Sequence, residues 1–207
     1  MSTGPGRVVE VDPERLDRWI SGFAERHGVP ERSPGADPAT VPFVLSAPDG
    51  ARAEVLAWAP GAVELPPRLG LVLLRRGGYA VGRAEGDRLA DHYCGTRYVQ
   101  SRTAAGGWSQ QRFARRRGNQ ADALVERVVE QASARLLDAR GGRVHGFVVG
   151  GDRALVRQVV EHRALGRLAA LPRREFYDLP DPRLKVLQDT LKRGRAIRIR
   201  VSEPATS

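Results

Sequence analysis

The chain has 207 residues, 41% of them hydrophobic, which suffices for one domain of ordinary size or one domain with a small extra lobe. Its net charge of +10 points to a polyanionic partner, either nucleic acid or an acidic membrane surface. The single cysteine, Cys94, excludes an intrachain disulfide and a cysteine-based zinc site, and no apolar run is long enough to span a bilayer.

In chain order, Val8–Val11 reads as a short strand. Asp12-Pro13-Glu14 then supplies an N-cap and a first-turn proline for a helix. Leu16, Trp19, Ile20 and Phe23 share one face of that helix, and Gly28 with Pro30 ends it. Residues 31–40 read as a polar loop. Phe43–Leu45 and Ala51–Trp58 flank Pro48-Asp49-Gly50, a hairpin signal, and Pro60, Pro66 and Pro67 mark a boundary.

Past the prolines, Leu69–Leu74 is an apolar strand that turns at Gly77-Gly78 into a second, and 89–101 reads as a third antiparallel strand. A basic loop is expected over 103–118. Asn119 is positioned to cap a long helix with Ala121, Leu124, Val125, Val128, Val129, Ala132 and Leu136 at helical spacing. Val144–Val149 is a buried-type strand, and Asp152 opens a helix with Leu155, Val156, Val159 and Val160. Asp181-Pro182 opens the last helix, and 196–201 makes a closing strand with its arginines alternating outward. The expected architecture is a mixed α/β (α+β) layer fold. A helix-plus-hairpin extension occupies 1–62, and a larger region at 68–203 includes the closing strand.

From His92 to Ala121 there are 30 residues with six arginines and no Asp or Glu. Of the 34 basic residues in the chain, Lys185 and Lys192 are the only lysines. A GC-rich genome raises arginine, alanine, glycine and proline together, but it does not remove the acids from one stretch. A charge run can be a merely solvated face. Here Arg102, Arg112, Arg115, Arg116 and Arg117 are interleaved with Trp108 and Phe113, the pattern used to follow an RNA backbone and stack on unpaired bases. Gly106 and Gly107 permit positive φ and close backbone approach to a ligand. Gln110 cannot act as a base, but its amide can orient a water and its backbone N–H can stabilise an oxyanion. That chemistry suits hydrolysis of an activated ester, such as the one joining a peptide to tRNA.

Other chemistries find little to work with. His27, His92, His145 and His162 are dispersed, and none has a second ligand candidate at i+3 or i+4, so no metal site is expected. Ser109 has no assigned base, and Cys94 on a strand reads as a small buried hydrophobe. Gly150-Gly151-Asp152 lacks the remaining positions of a nucleotide-binding motif and reads as a tight turn with a capping Asp. No cofactor is expected. Met1-Ser2-Thr3-Gly4-Pro5 lacks a signal-peptide core, so the expected setting is soluble and cytoplasmic.

Thr96-Arg97-Tyr98-Val99-Gln100-Ser101-Arg102, then Gly107-Trp108-Ser109-Gln110, then a basic run and an amphipathic helix, resemble the release-factor-like peptidyl-tRNA hydrolases of ribosome-associated quality control. The shorter actinobacterial members are the nearest type. Their catalytic domain is similar to the middle domain of the eukaryotic class I translation termination factor, with a loop of the form G-x-x-Q. The resemblance covers about 68–203. It implies Gly107 as the loop glycine, Gln110 as the water-positioning glutamine and Arg102 as the arginine before the loop. Gln111, one position on, is the register alternative. The implied partners are large-subunit rRNA and peptidyl-tRNA, engaged by a monomer. A non-catalytic RNA- or ribosome-binding factor would use the same arginines, with Trp108, and no hydrolysis. A metal-dependent nuclease would need carboxylates that the strands lack.

Overall fold

The computed structural model describes residues 6–96, 109–137 and 142–204, and only the backbone of 109–119. The chain divides into two compact units, one of 1–66 with 192–207 and one of 67–191. Both are α+β, as expected for the chain as a whole.

The first unit is an antiparallel sheet in the order β1-β10-β4-β3-β2. Its strands are β1 (Arg7–Val11), β2 (Glu31–Pro34), β3 (Phe43–Ser46), β4 (Arg52–Val55) and β10 (Ile197–Ser202). Helix α1 (Leu16–His27) lies on one face. Its apolar residues recur at helical spacing, so Leu16, Trp19, Ile20 and Phe23 meet Val11, Leu45, Val55, Ile199 and Val201. Phe23 is fully buried and stacks with Trp19 at 5.7 Å. Gly28 ends α1 at φ 85°, a conformation that glycine adopts without strain. His27 Nδ1 lies 2.8 Å from Asp49 Oδ2, so the helix end is tied to the β3–β4 turn.

Two expectations change in this unit. Residues 31–34 form β2 instead of loop, pairing with β3 through the backbone. The closing strand, expected in the second region, pairs with β1 and β4 instead. Its alternation explains the choice: Ile199 and Val201 complete the core under α1, while Arg200 faces away and pairs with Glu54 at 2.8 Å. Arg198 is half-buried, and it donates to the carbonyls of Ala57 and Trp58.

The second unit is a mixed sheet in the order β7-β6-β5-β8-β9. β5 (Arg68–Arg75), β6 (Gly78–Glu85) and β7 (Arg88–Thr96) form an antiparallel meander, and β8 (Gly146–Gly151) and β9 (Arg173–Phe176) run parallel to β5. Helices α2 (Ser109–Leu136), α3 (Arg153–Val160) and α4 (Gly166–Ala169) share a core with one sheet face, built from Val72, Leu74, Val81, Phe147 and Val149 against Val128, Val129, Val156 and Val159. By strand alternation Leu71 and Leu73 face the other side. There the first part of α5 (Leu184–Arg195) places Leu187 against Gly82. Asp152 caps α3, its Oδ1 accepting from the backbone N–H of Ala154 and Leu155.

Helix α2 begins ten residues before Asn119. Alanine, glutamine and arginine are strong helix formers, and Gly118 costs only about 1 kcal/mol inside a helix. Gly118-Asn119-Gln120 is therefore helix interior, and 109–118 is helix instead of loop.

Candidate nucleic-acid interface and loop base

The register places several chain segments at one end of the second sheet. Thr96, the last residue of β7, pairs with Gly78, which pairs with Arg75. At the same end, Leu74 pairs with Gly151 and Gly150 with Phe176. The basic stretch therefore leaves the sheet where β5, β8 and β9 also end.

It returns as α2. A 28-residue helix is about 42 Å long, whereas an eight-residue strand spans about 27 Å. The packed part of α2 runs from Leu124 to Leu136, and Leu136 lies beside Gly70 near the start of β5. The excess length thus points toward the end at which Thr96 leaves. Gln110 stands in the first turn of this projecting part, and Arg112, Arg115, Arg116 and Arg117 follow within the next turns. The first four backbone N–H groups of any α-helix lack intrahelical acceptors, and that end carries partial positive charge. Arg102, Gly107 and Trp108 lie outside the described residues.

Strand β7, which leads to the basic stretch, is braced along its length. Tyr79 is buried, and its ring occupies the space that a side chain at Gly95 would need, one residue before the strand ends. Tyr79 stacks with Tyr93 at 5.8 Å, and the Arg135 guanidinium lies 5.1 Å from the centre of the Tyr93 ring. Arg135 in turn reaches Asp91 at 3.6 Å and donates to Gln131 at 2.7 Å. Burial, reinforced by Tyr93, pushes the Tyr79 hydroxyl above its ordinary pKa, so it stays protonated. On the other side of the hairpin, Arg75 donates to the Leu179 carbonyl and pairs with Asp181 at 3.6 Å. Arg76 lies 3.9 Å from Asp152. Apart from the Arg135–Gln131 pair within α2, these contacts were not visible in local sequence patterns, because each joins separate elements.

The remaining sequence candidates fall into structural roles. Burial raises the Cys94 thiol above its ordinary pKa, the opposite of an activated nucleophile. His162 Nδ1 accepts from Ala164 N–H at 3.3 Å, while its Nε2 lies 3.5 Å from Glu126. Among the described residues, no three His, Cys, Asp or Glu side chains are grouped to hold a metal ion, and no helix is long and apolar enough to cross a membrane.

With this geometry in place, residues 67–200 match the family model described as the Actinobacteria/chloroflexi VLRF1 release factor. The chain belongs to that family. The VLRF1 match begins at the first residue of the second unit and runs into β10, so it takes in the whole mixed sheet, α2 and the basic stretch. A crystal structure of an archaeal translation termination factor, aRF1, is similar over 64% of this chain at 16% identity, with a TM-score of 0.38. The match spans 45% of that archaeal chain. No curated protein was found similar to this VLRF1 family member.

Proposed function

We propose that the protein is a peptidyl-tRNA hydrolase that releases nascent chains from stalled large ribosomal subunits. Its setting would be ribosome-associated quality control in the cytoplasm, with the protein acting as a monomer. The observation that supports this reading is the sequence Gly107-Trp108-Ser109-Gln110 in a release-factor family member, with Ser109 and Gln110 on the backbone of the first turn of α2.

In the proposed reaction a water attacks the ester carbonyl of peptidyl-tRNA. The bond from that carbon to the tRNA 3′ oxygen breaks, the peptide leaves as a carboxylic acid, and the tRNA oxygen takes a proton. Gln110 orients the water. Gly107 lets the backbone approach the ester, and the free N–H groups of the first helical turn favour the oxyanion. Positioning and electrostatics supply the acceleration, so neither a strong base nor a cofactor is required. Arg102, Arg112, Arg115, Arg116 and Arg117, with Trp108, hold the rRNA and the tRNA end.

The test compares peptide release from stalled large-subunit complexes by the wild type, Gln110→Ala and Gln111→Ala. We expect Gln110→Ala to slow release by about 100-fold or more, the loss typical of a misplaced or missing preorganised group. Gln111→Ala should retain most activity. Equal release by the wild type and Gln110→Ala would sink the assignment. The acid-free arginine run also favours a second reading, a non-catalytic ribosome-binding factor. That reading requires salt-dependent binding with no release by the wild type.

A further inference from the structure

A second segment of the same unit repeats the charge pattern of the first. Residues 153–174 carry six arginines and one acid, Glu161. Outside 92–121 and 153–174, the second unit has 11 basic and 12 acidic residues. Its positive excess therefore resides in these two segments.

The fold turns the second segment into a surface. Leu155, Val156, Val159, Val160, Leu165 and Leu168 all enter the same core, so the exposed residues between them face away from it together. Arg153, Arg157, Arg163, Arg167 and Arg173 are all exposed, whereas Arg174 is buried. Arg153 and Arg157 are four residues apart on α3, and Arg163 and Arg167 are four apart on consecutive helical turns. On α3 that spacing puts the Cβ atoms of Arg153 and Arg157 about 6 Å apart, comparable to the step between successive phosphates of an RNA strand. Arg163 stands in a tight turn and Arg167 in the short helix that follows it. The nearby acids are partly neutralised: Glu161 pairs with Arg157 at 2.8 Å, Glu175 with Arg173 at 2.9 Å, and Glu126 faces His162 at 3.5 Å. Arg153 stacks over Tyr177 at 4.0 Å, which holds its guanidinium at the surface. Among the described residues Arg163 and Arg167 form no ion pair.

We propose that the outer face of α3 and the Arg163–Ala169 turns is a second RNA-contacting surface, separate from the G-x-x-Q segment. It would grip the phosphate backbone of ribosomal RNA. Arginine without lysine suits bidentate phosphate contacts. The face also shares its helical layer with the packed part of α2, Leu124–Leu136. The choice of ribosomal RNA rests on the proposed function; the surface itself does not depend on Gln110.

The experiment uses the full chain and an Arg163→Gln/Arg167→Gln variant. Binding to large ribosomal subunits and to protein-free ribosomal RNA is measured from about 0.05 to 0.2 M salt. Losing two phosphate contacts should lower the slope of log affinity against log salt by about two. At about 0.15 M salt it should weaken binding by roughly 10- to 30-fold, with an unchanged thermal melt. Arg52→Gln/Arg200→Gln removes the same formal charge from the first unit and should leave the slope unchanged. An unchanged slope in the Arg163/Arg167 variant overturns the proposal. So does a loss on subunits with unchanged binding to protein-free RNA, which would assign the face to a ribosomal protein. Release assays on Gln110→Ala report separately, so either idea can fail while the other stands.

Discussion

The first unit contains 11 basic and 11 acidic residues, whereas the second contains 23 and 13. The whole net charge of +10 therefore belongs to the second unit. In the first, charges meet one another: Arg195 pairs with Glu14, Lys192 lies 3.6 Å from Asp12, and Arg200 reaches Glu54 at 2.8 Å. Hydrogen bonding from Arg195 holds the Glu14 carboxyl below its ordinary pKa. In the second, the excess collects on the helical layer and on the segment leading into it. A whole-chain charge is an average, and dividing it by structural unit shows which part carries the positive excess.

The units also differ in how much core supports them. Among the described residues the cluster under α1 has nine buried members, three of them alanines, while the cluster under α2 and α3 has 19. Phe23 is the large side chain at the centre of the smaller one and is fully buried. Phe23→Ala is expected to cost about 3–5 kcal/mol, because the cavity adds to the lost transfer free energy. Urea unfolding followed by tryptophan fluorescence would read this, since Trp19 and Trp58 both lie in the first unit. A loss under about 1 kcal/mol would show that the sheet closes over the gap and that the contrast in core size has no energetic meaning.

Much of this division is written in local patterns. The seven-residue apolar stripe of α2, the Asp152 cap, the Gly28 terminus and the Gly50 and Gly77-Gly78 hairpins are readable because each depends on near neighbours. β2, with the sequence Glu-Arg-Ser-Pro, and β9, with Arg-Arg-Glu-Phe, are edge strands. They are held by backbone bonds on one side, and edge strands favour charged residues, so they look like loops. The partner of β10 lies more than 140 residues away in β4, which no window along the chain reveals. The start of α2 was hidden for a different reason: acid-free and arginine-rich composition suggests a ligand-binding loop, yet the same residues are good helix formers. Of the site, Gln110 and the four arginines from 112 to 117 can be placed on the backbone of α2. Arg102, Gly107 and Trp108 fall outside the described residues.

Gly95→Ala tests how closely the second unit couples its core to the projecting segment. A methyl at Gly95 would overlap the buried ring of Tyr79. Overpacking of this kind typically costs about 1–3 kcal/mol. The displaced end of β7 should also lower kcat for peptide release more than it raises KM, because the basic stretch departs there. Combining Gly95→Ala with Tyr79→Leu shortens the obstructing side chain and should restore part of the rate. If Gly95→Ala were as stable and active as the wild type, the Tyr79 ring would not be bracing the end of β7.

The smallest expected effect lies in the charge-balanced unit. Asp49 accepts the backbone N–H of Ala51 at 2.9 Å and faces His27 at 2.8 Å, and these two partners hold its carboxyl below the ordinary value of 3.8. A carboxyl that binds its proton more weakly in the folded chain adds stability that is fully present above that ordinary value. The contribution is lost as the pH falls through the lower folded value. Asp49→Asn removes it, so the wild type should be the more stable protein near neutral pH. The gap should close in acid, where Asp49 is protonated in both the folded and unfolded wild-type chain. Urea midpoints for the two proteins at about pH 6 and about pH 2.5 would measure this, and a gap that stays constant would trace the difference to side-chain shape instead of charge. The same substitution should leave the salt slope of RNA binding where it was, because Asp49 belongs to the unit whose charges are already matched.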